Sequence, residues 1–195
     1  VFKNSIPAEQ RDNHPVLAVN YDDAHLFCAW LSKKEGRTYR LPSDEEWSNA
    51  VGIGKKEKRT KNSTPQSLTN QVRDESPWGG TYPPKTGDLA GNYSDTTARA
   101  QNPDANIVAG YSDGFSGTAP VMSFKPKTLG IYDMGGNAFE WCLDWWNAEQ
   151  KERTVRGGCY SLARDGDLLS ACRVQSGAAT RGTNTGFRIV LETAK

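Results

Sequence analysis

Charge of one sign is missing from this 195-residue chain: 24 basic residues stand against 23 acidic ones, a formal charge of +1 at pH 7. Without a basic patch or stripe there is no electrostatic footprint for nucleic acid, and without an acidic tail none for a basic partner. Long apolar runs are also lacking, and mean hydropathy is −0.70, so no segment reads as membrane-spanning or as inserting directly into a bilayer. Two histidines, His14 and His25, cannot by themselves build a histidine-ligated metal centre, and both read as ordinary surface or packing residues. No CxxC pair occurs among Cys28, Cys142, Cys159 and Cys172, which argues against zinc or thioredoxin-type chemistry. Spacing alone leaves buried free thiols and one disulfide both open. The sequence starts at Val1 without a charged-then-apolar leader, and the expectation is a trimmed or processed form from which any signal or lipid anchor has been lost upstream.

What is abundant is glycine, with 19 residues, together with six Trp and seven Tyr. Glycine permits tight turns and close backbone approach, and aromatics give large buried areas to segments that lack regular structure. A loop-rich domain held by aromatic packing, and braced by ions, is the expectation. The length allows one well-filled core, so 1–195 is expected to form a single domain.

Along the chain, a polar lead with Pro7 runs into an extended His14–Val19. Asn20 is a good N-cap with Asp23 in the first turn. Ala24, Phe27, Cys28 and Leu31 then recur at helical spacing, which puts Cys28 on the buried face, and Gly36 stops the pattern. Ser43 followed by Glu46 predicts a capping box and a second short helix carrying Trp47 and Ala50. Residues 52–75, rich in Lys, Ser, Thr, Asn and Gln, read as a mobile surface excursion. From Ser76 to about Thr128 there is almost no periodicity, and a stretch of that length needs another source of order, such as oxygen ligands around a hard cation. A β-like Val155-Arg156 and a final strand over Gly186–Val190 close the chain.

Three phrases carry a resemblance. They are Pro15-Val16 through Asp23-Ala24, Arg40–Trp47 (RLPSDEEW) and Gly130–Trp141 (GIYDMGGNAFEW), completed by Arg156-Gly157-Gly158 and Gly186-Phe187-Arg188. Together they resemble the formylglycine-generating-enzyme (sulfatase-modifying factor) family over roughly residues 14–191. The resemblance implies an α+β, C-type-lectin-like fold, loop-rich with little regular structure, whose usual N-terminal strands would lie before Val1.

The same resemblance implies two calcium sites. One is Asn92, the Tyr93 carbonyl, Asp113 and the Phe115 carbonyl. The other is Asp133, the carbonyls of Gly136 and Ala138, and Glu140. Alternating side-chain and backbone oxygens suit a hard cation that takes six to eight oxygen ligands. Spacing alone favours Asp113 and Asp133 as turn-formers and Glu140 as an ordinary hydrogen-bonded surface residue; the resemblance reverses that in favour of structural calcium.

Relatives in that family place a pair of copper-binding cysteines after the Gly-Gly. Here the resemblance aligns those positions with Leu162 and Asp167, and neither can replace the thiolates that copper(I) selects. The expectation is therefore no copper and no catalysis, with a divergent oxidase using Cys159 or Cys142, or an accessory domain, as alternatives. A branch that uses non-haem iron has a histidine-rich second domain absent here. Cys28 and Cys172 match bridged positions of some relatives, but their partners fall on Ile189 and Val51, so reduced thiols are expected.

Between Gly158 and Gly186, Lys, Glu, Trp and Met are absent and Gln175 is the single Gln. The residue types that remain can all be encoded by codons ending in C. That is the footprint of randomised adenines in Asn codons, as in the variable proteins of diversity-generating retroelements, several of which vary this segment of this fold. Tyr160, Ser161, Leu162, Arg164, Asp165, Asp167, Leu169, Val174, Ser176, Ala179, Thr180, Thr183 and Asn184 are then the variable, ligand-facing set. Ser170–Arg173, Arg181 and Gly186–Arg188 are the fixed scaffold, and Trp145 and Trp146 border the surface. Loops on a rigid frame carry recognition, and small polar residues around a Tyr resemble an adaptable paratope. The expected partner is a protein or other surface ligand, with the chain extracytoplasmic or at the cell surface.

Overall fold

The computed structural model describes residues 12–193 other than 86 and 128; the polar lead with Pro7 lies outside these. Helix α1 (Tyr21–Glu35) starts where its cap predicts. The Asn20 side chain accepts from the Asp23 N–H at 2.8 Å and the Asp23 carboxylate accepts from the Asn20 N–H at 3.0 Å, a reciprocal capping box. Gly36 ends the helix in the left-handed region, φ 67°. The buried stripe is Tyr21, Ala24 and Cys28. Phe27, expected on that stripe, is 41% exposed and packs edge-on against Phe187 at 5.4 Å. The helix is turned so that Tyr21 meets Trp141, ring centroids 6.1 Å apart.

Strand β1 (Tyr39–Arg40) pairs antiparallel with β6 (Val190–Leu191) near the chain's end. Helix α2 (Asp44–Val51) carries the predicted box, Ser43 with Glu46, and buries Asp44, Trp47, Ser48 and Val51. The next stretch corrects the composition reading. Residues 52–75 contain a short helix α3 (Pro65–Leu68) and bury Ile53, Glu57, Leu68 and Val72. Glu57 turns inward to Arg173, 2.5 Å away, so a segment that reads as polar is held from inside by charge. Among the described residues, 76–127 are irregular, as expected, apart from α4 (Thr96–Gln101), capped by Asp95.

One curled sheet organises the second half, in the order β4-β3-β2-β5. Strand β2 (Phe139–Trp145) lies antiparallel to β3 (Glu152–Arg156), β3 antiparallel to β4 (Arg173–Gly177), and β2 parallel to β5 (Thr185–Gly186). The expected final strand is thus split, with β5 joining the sheet and β6 joining β1. Gly186 permits this: a Cβ there would stand 2.3 Å from the Val16 carbonyl oxygen, so the backbone at Val16 lies directly against it; the expected extended run over His14–Val19 is broken by Ala18, at φ 59°.

Apolar packing falls into three clusters around Trp47, Trp141 and Tyr93. Between them sits a buried ionic network. Asp44 on α2, fully buried, accepts from Arg156 of β3 and from Arg173 of β4 at 2.8 and 3.0 Å, and Arg59 reaches it at 2.7 Å. Burial alone would raise its carboxyl, but the guanidinium groups of Arg156 and Arg173 hold it well below the usual range. All four cysteines are free and buried.

Candidate functional site

Segment 159–185 leaves β3 through Gly157-Gly158, makes a loop with a 3-10 turn at Asp165–Asp167, forms β4, and returns to β5. Its residues divide by burial. Ser170, Ala171, Cys172 and Arg173 are buried, and Arg173 is tied to Asp44 and Glu57. Leu168 and Ala163 fill the cluster around Tyr93. Of the thirteen candidate variable positions none is buried. Ser161, Arg164, Asp165, Val174, Ala179, Thr180 and Thr183 are exposed, and Tyr160, Leu162, Asp167, Leu169, Ser176 and Asn184 are half-buried.

The two aromatic candidates separate. Trp145 is half-buried and stacks on the guanidinium of Arg153, 3.5 Å from the ring centroid, so it borders solvent. Trp146 is 8% exposed and turned into the protein, which removes it from the ligand-facing set. Adjacent residues of an extended chain point to opposite sides, so one of the pair faces out and the other in.

Leu162 and Asp167 lie on either side of one glycine. A Cβ on Gly158 would sit 3.5 Å from Leu162 Cδ1 and 3.7 Å from the Asp167 carbonyl oxygen. The thiol in this neighbourhood, Cys159, is buried, 3.2 Å from Ser161 Oγ, and accepts from Asn184 Nδ2 at 3.3 Å. Burial pushes the Cys159 thiol up, that of Cys142 far up, and that of Cys172 to about 11. A protonated, buried thiol is a poor nucleophile and a poor metal ligand.

The first calcium set is organised around Asp113. Asp113 accepts from the Tyr93 N–H at 2.9 Å and the Phe115 N–H at 2.8 Å, which folds both backbone segments around its carboxylate. Asn92 is fully buried and donates to the Gly117 carbonyl at 2.7 Å and to Asn137 Oδ1 at 3.1 Å, while its own amide oxygen has no partner. Burial, with Asp95 beside it, pushes the Asp113 carboxyl up to about 7. An orphaned buried oxygen on Asn92, whose neighbour Tyr93 donates its N–H to that carboxylate, is the kind of group a hard cation would satisfy.

The second set lines a cavity of about 310 Å³ with Asp133, Gly136, Ala138 and Glu140 in its walls. Asp133 accepts from the Met122 N–H at 2.7 Å, and its other oxygen is buried without a partner. Glu140 accepts from Trp47 Nε1 at 2.8 Å and is bracketed by Arg188. The two sets meet at an Asn92–Gly136 bridge. A Cβ on Gly136 would clash with the Asn92 carbonyl oxygen at 2.3 Å, and φ there is +78°. Among the described residues no three His, Cys, Asp or Glu side chains form a metal-holding group, so backbone and amide oxygens would have to complete either set.

These arrangements can be set beside known proteins. The family described as "Sulfatase-modifying factor enzyme 1-like domain" matches residues 2–193. The chain belongs to this family. Mouse formylglycine-generating enzyme is 30% identical over 194 residues, 91% of this chain and 44% of the relative. Bovine "Inactive C-alpha-formylglycine-generating enzyme 2" is 30% identical over 180 residues, 89% of this chain and 49% of the relative. The chain thus spans under half the length of these curated relatives. Among solved structures, "Treponema denticola variable protein 1" is similar with a TM-score of 0.58 at 21% identity, covering 96% of this chain and 75% of that one. The fold is of the formylglycine-generating type: α+β, with a curled sheet, few helices and long loops.

Within that family fold, sequence reasoning missed Asp44, Glu57, Arg156 and Arg173 as one network. Asp44 lies inside the RLPSDEEW phrase, but its partners are 112 and 129 residues away, and no local pattern links them. It also missed Arg153, whose guanidinium lies between Tyr21 and Trp145.

Proposed function

We propose that the chain is a noncatalytic recognition domain whose segment 159–185 presents a variable ligand-binding surface, as in the variable proteins of diversity-generating retroelements. The observation that carries this reading is the match between the assigned variable positions and solvent exposure. Each of the thirteen positions assigned to the variable set reaches solvent, while Ser170–Arg173, equally codon-compatible but assigned to the fixed scaffold, is packed inside. A surface that varies must be decoupled from the core, because core substitutions cost several kcal/mol. Support for the noncatalytic part comes from Leu162 and Asp167, which flank Gly158 where a copper-binding thiol pair would be needed. A relative named inactive and a structural neighbour named variable are consistent with a family in which the frame outlives the chemistry.

The ligand class is a protein or other surface that is read through hydroxyls, amides and a Tyr. Calcium at the Asn92–Asp113 set braces the irregular stretch beneath, copper has no part, and placement is extracytoplasmic or at the cell surface. Nucleic acid is not a partner on this reading, since the near-zero net charge gives little counterion-release affinity.

An oxidase reading has one specific support, the 30% identity to mouse formylglycine-generating enzyme. The neighbouring DNA separates the two. A reverse-transcriptase gene next to a near-copy of the sequence encoding 159–185 is expected; a locus with neither, in which the segment has one invariant copy, would count against the display reading.

A further inference from the structure

The two calcium sets differ in what already neutralises them. Arg188 donates Nε to Glu140 Oε2 at 2.6 Å and a terminal nitrogen to Glu140 Oε1 at 2.6 Å. The same nitrogen donates to the carbonyls of Asp133 at 3.1 Å and Tyr132 at 3.3 Å. Trp47 Nε1 adds its bond to Glu140 Oε2. Both oxygens of that carboxylate are therefore engaged, and the guanidinium stands between Glu140 and the backbone at Asp133.

A guanidinium keeps its charge at any pH a protein survives, and a bidentate Arg–carboxylate pair is among the strongest polar contacts available. A divalent ion bridging Asp133 and Glu140 would have to displace Arg188 or sit within a few ångströms of a like charge, where repulsion in a half-buried setting is severe. Each set has one buried, unpartnered oxygen, on Asn92 in the first and on Asp133 in the second, but at the first set no ion pair reaches Asp113 among the described residues, so Arg188 is what distinguishes the two.

We propose that Arg188 is the built-in cation of the second set, so that the domain takes one calcium, at Asn92 and Asp113, and none at Asp133 and Glu140. This rests on the calcium reading of the first set made above. The cavity beside Asp133 is then space next to a satisfied ion pair, not an ion cage.

Equilibrium dialysis of the chelator-stripped chain against radioactive calcium, with native mass spectrometry to count bound ions, tests it. One ion per chain is expected. Asp113→Asn loses that ion, Asp133→Asn keeps it with unchanged affinity, and Arg188→Gln gains a second. Two ions in the wild type, or loss of an ion in Asp133→Asn, would overturn the role of Arg188. No ion in the wild type would overturn the first-set reading instead, and the one-ion count with it. Circular dichroism checks folding; where Arg188→Gln fails to fold, the count in Asp133→Asn decides.

Discussion

At the scale of single residues, the account turns on what surrounds each charge and each thiol. Asp44 is the anchor, with Arg156, Arg173 and Arg59 all directed at it and nothing of it exposed. Removing one partner of a buried ionic group strands the others, at about 3–5 kcal/mol. Asp44→Ala should lose stability on that scale in chemical denaturation, and a loss below about 1 kcal/mol would show that the network is relaxed by water. Leu162 and Asp167 make a chemical prediction. Incubated with copper and a cysteine-containing peptide, the purified chain should yield no aldehyde by mass spectrometry, because the buried thiols nearby are held protonated. Turnover under those conditions would restore the oxidase reading.

At the scale of elements, helix starts were legible because capping is local. Asn20 with Asp23 and Ser43 with Glu46 each place a side chain and its backbone partner three residues apart, and the structure builds both boxes. The burial of 52–75 was not legible, since Glu57 is buried by Arg173, which is 116 residues away. Strand β4 was missed for a related reason. Its exposed Val174 and Gln175 show no alternation, and its place is set by β3 and Arg173. Of the site itself, the solvent-reaching set came from composition. Trp146 was misassigned because adjacent residues of an extended chain point to opposite sides, so Trp145 and Trp146 cannot both face solvent, and it is Trp146 that is buried.

The start of α2 also yields a pH prediction. Glu46 accepts from Arg40 at 2.6 and 2.7 Å and from the Ser43 N–H, and the Arg40 pair, the strongest of these influences, holds the carboxyl down to about 2 from 4.5. A depressed carboxylate stabilises the fold above its unfolded value and loses that contribution as pH falls through the folded one. The stability gap between wild type and Glu46→Gln should therefore be full at neutral pH and close between about pH 4.5 and about 2. The pair is partly solvated, so the gap is modest. A gap that widens on acidification would contradict the assignment.

At the scale of the whole molecule, frame and face are built by different means. The frame is an ionic network, three aromatic-centred clusters and oxygen-rich turns that join α2, β3, β4 and the irregular middle. The face is the outer side of 159–185, whose candidate residues take little part in that packing; Leu162 touches the Tyr93 cluster only at its margin. Such a division lets side chains change while the backbone stays fixed, which is the physical requirement for a variable recognition surface. Comparison of sibling genes from related loci measures this directly. Differences should concentrate at the thirteen solvent-reaching positions of 159–185 and spare Asp44, Arg156 and Ser170–Arg173. Differences spread evenly along the chain, or a 159–185 segment that never changes, would contradict it.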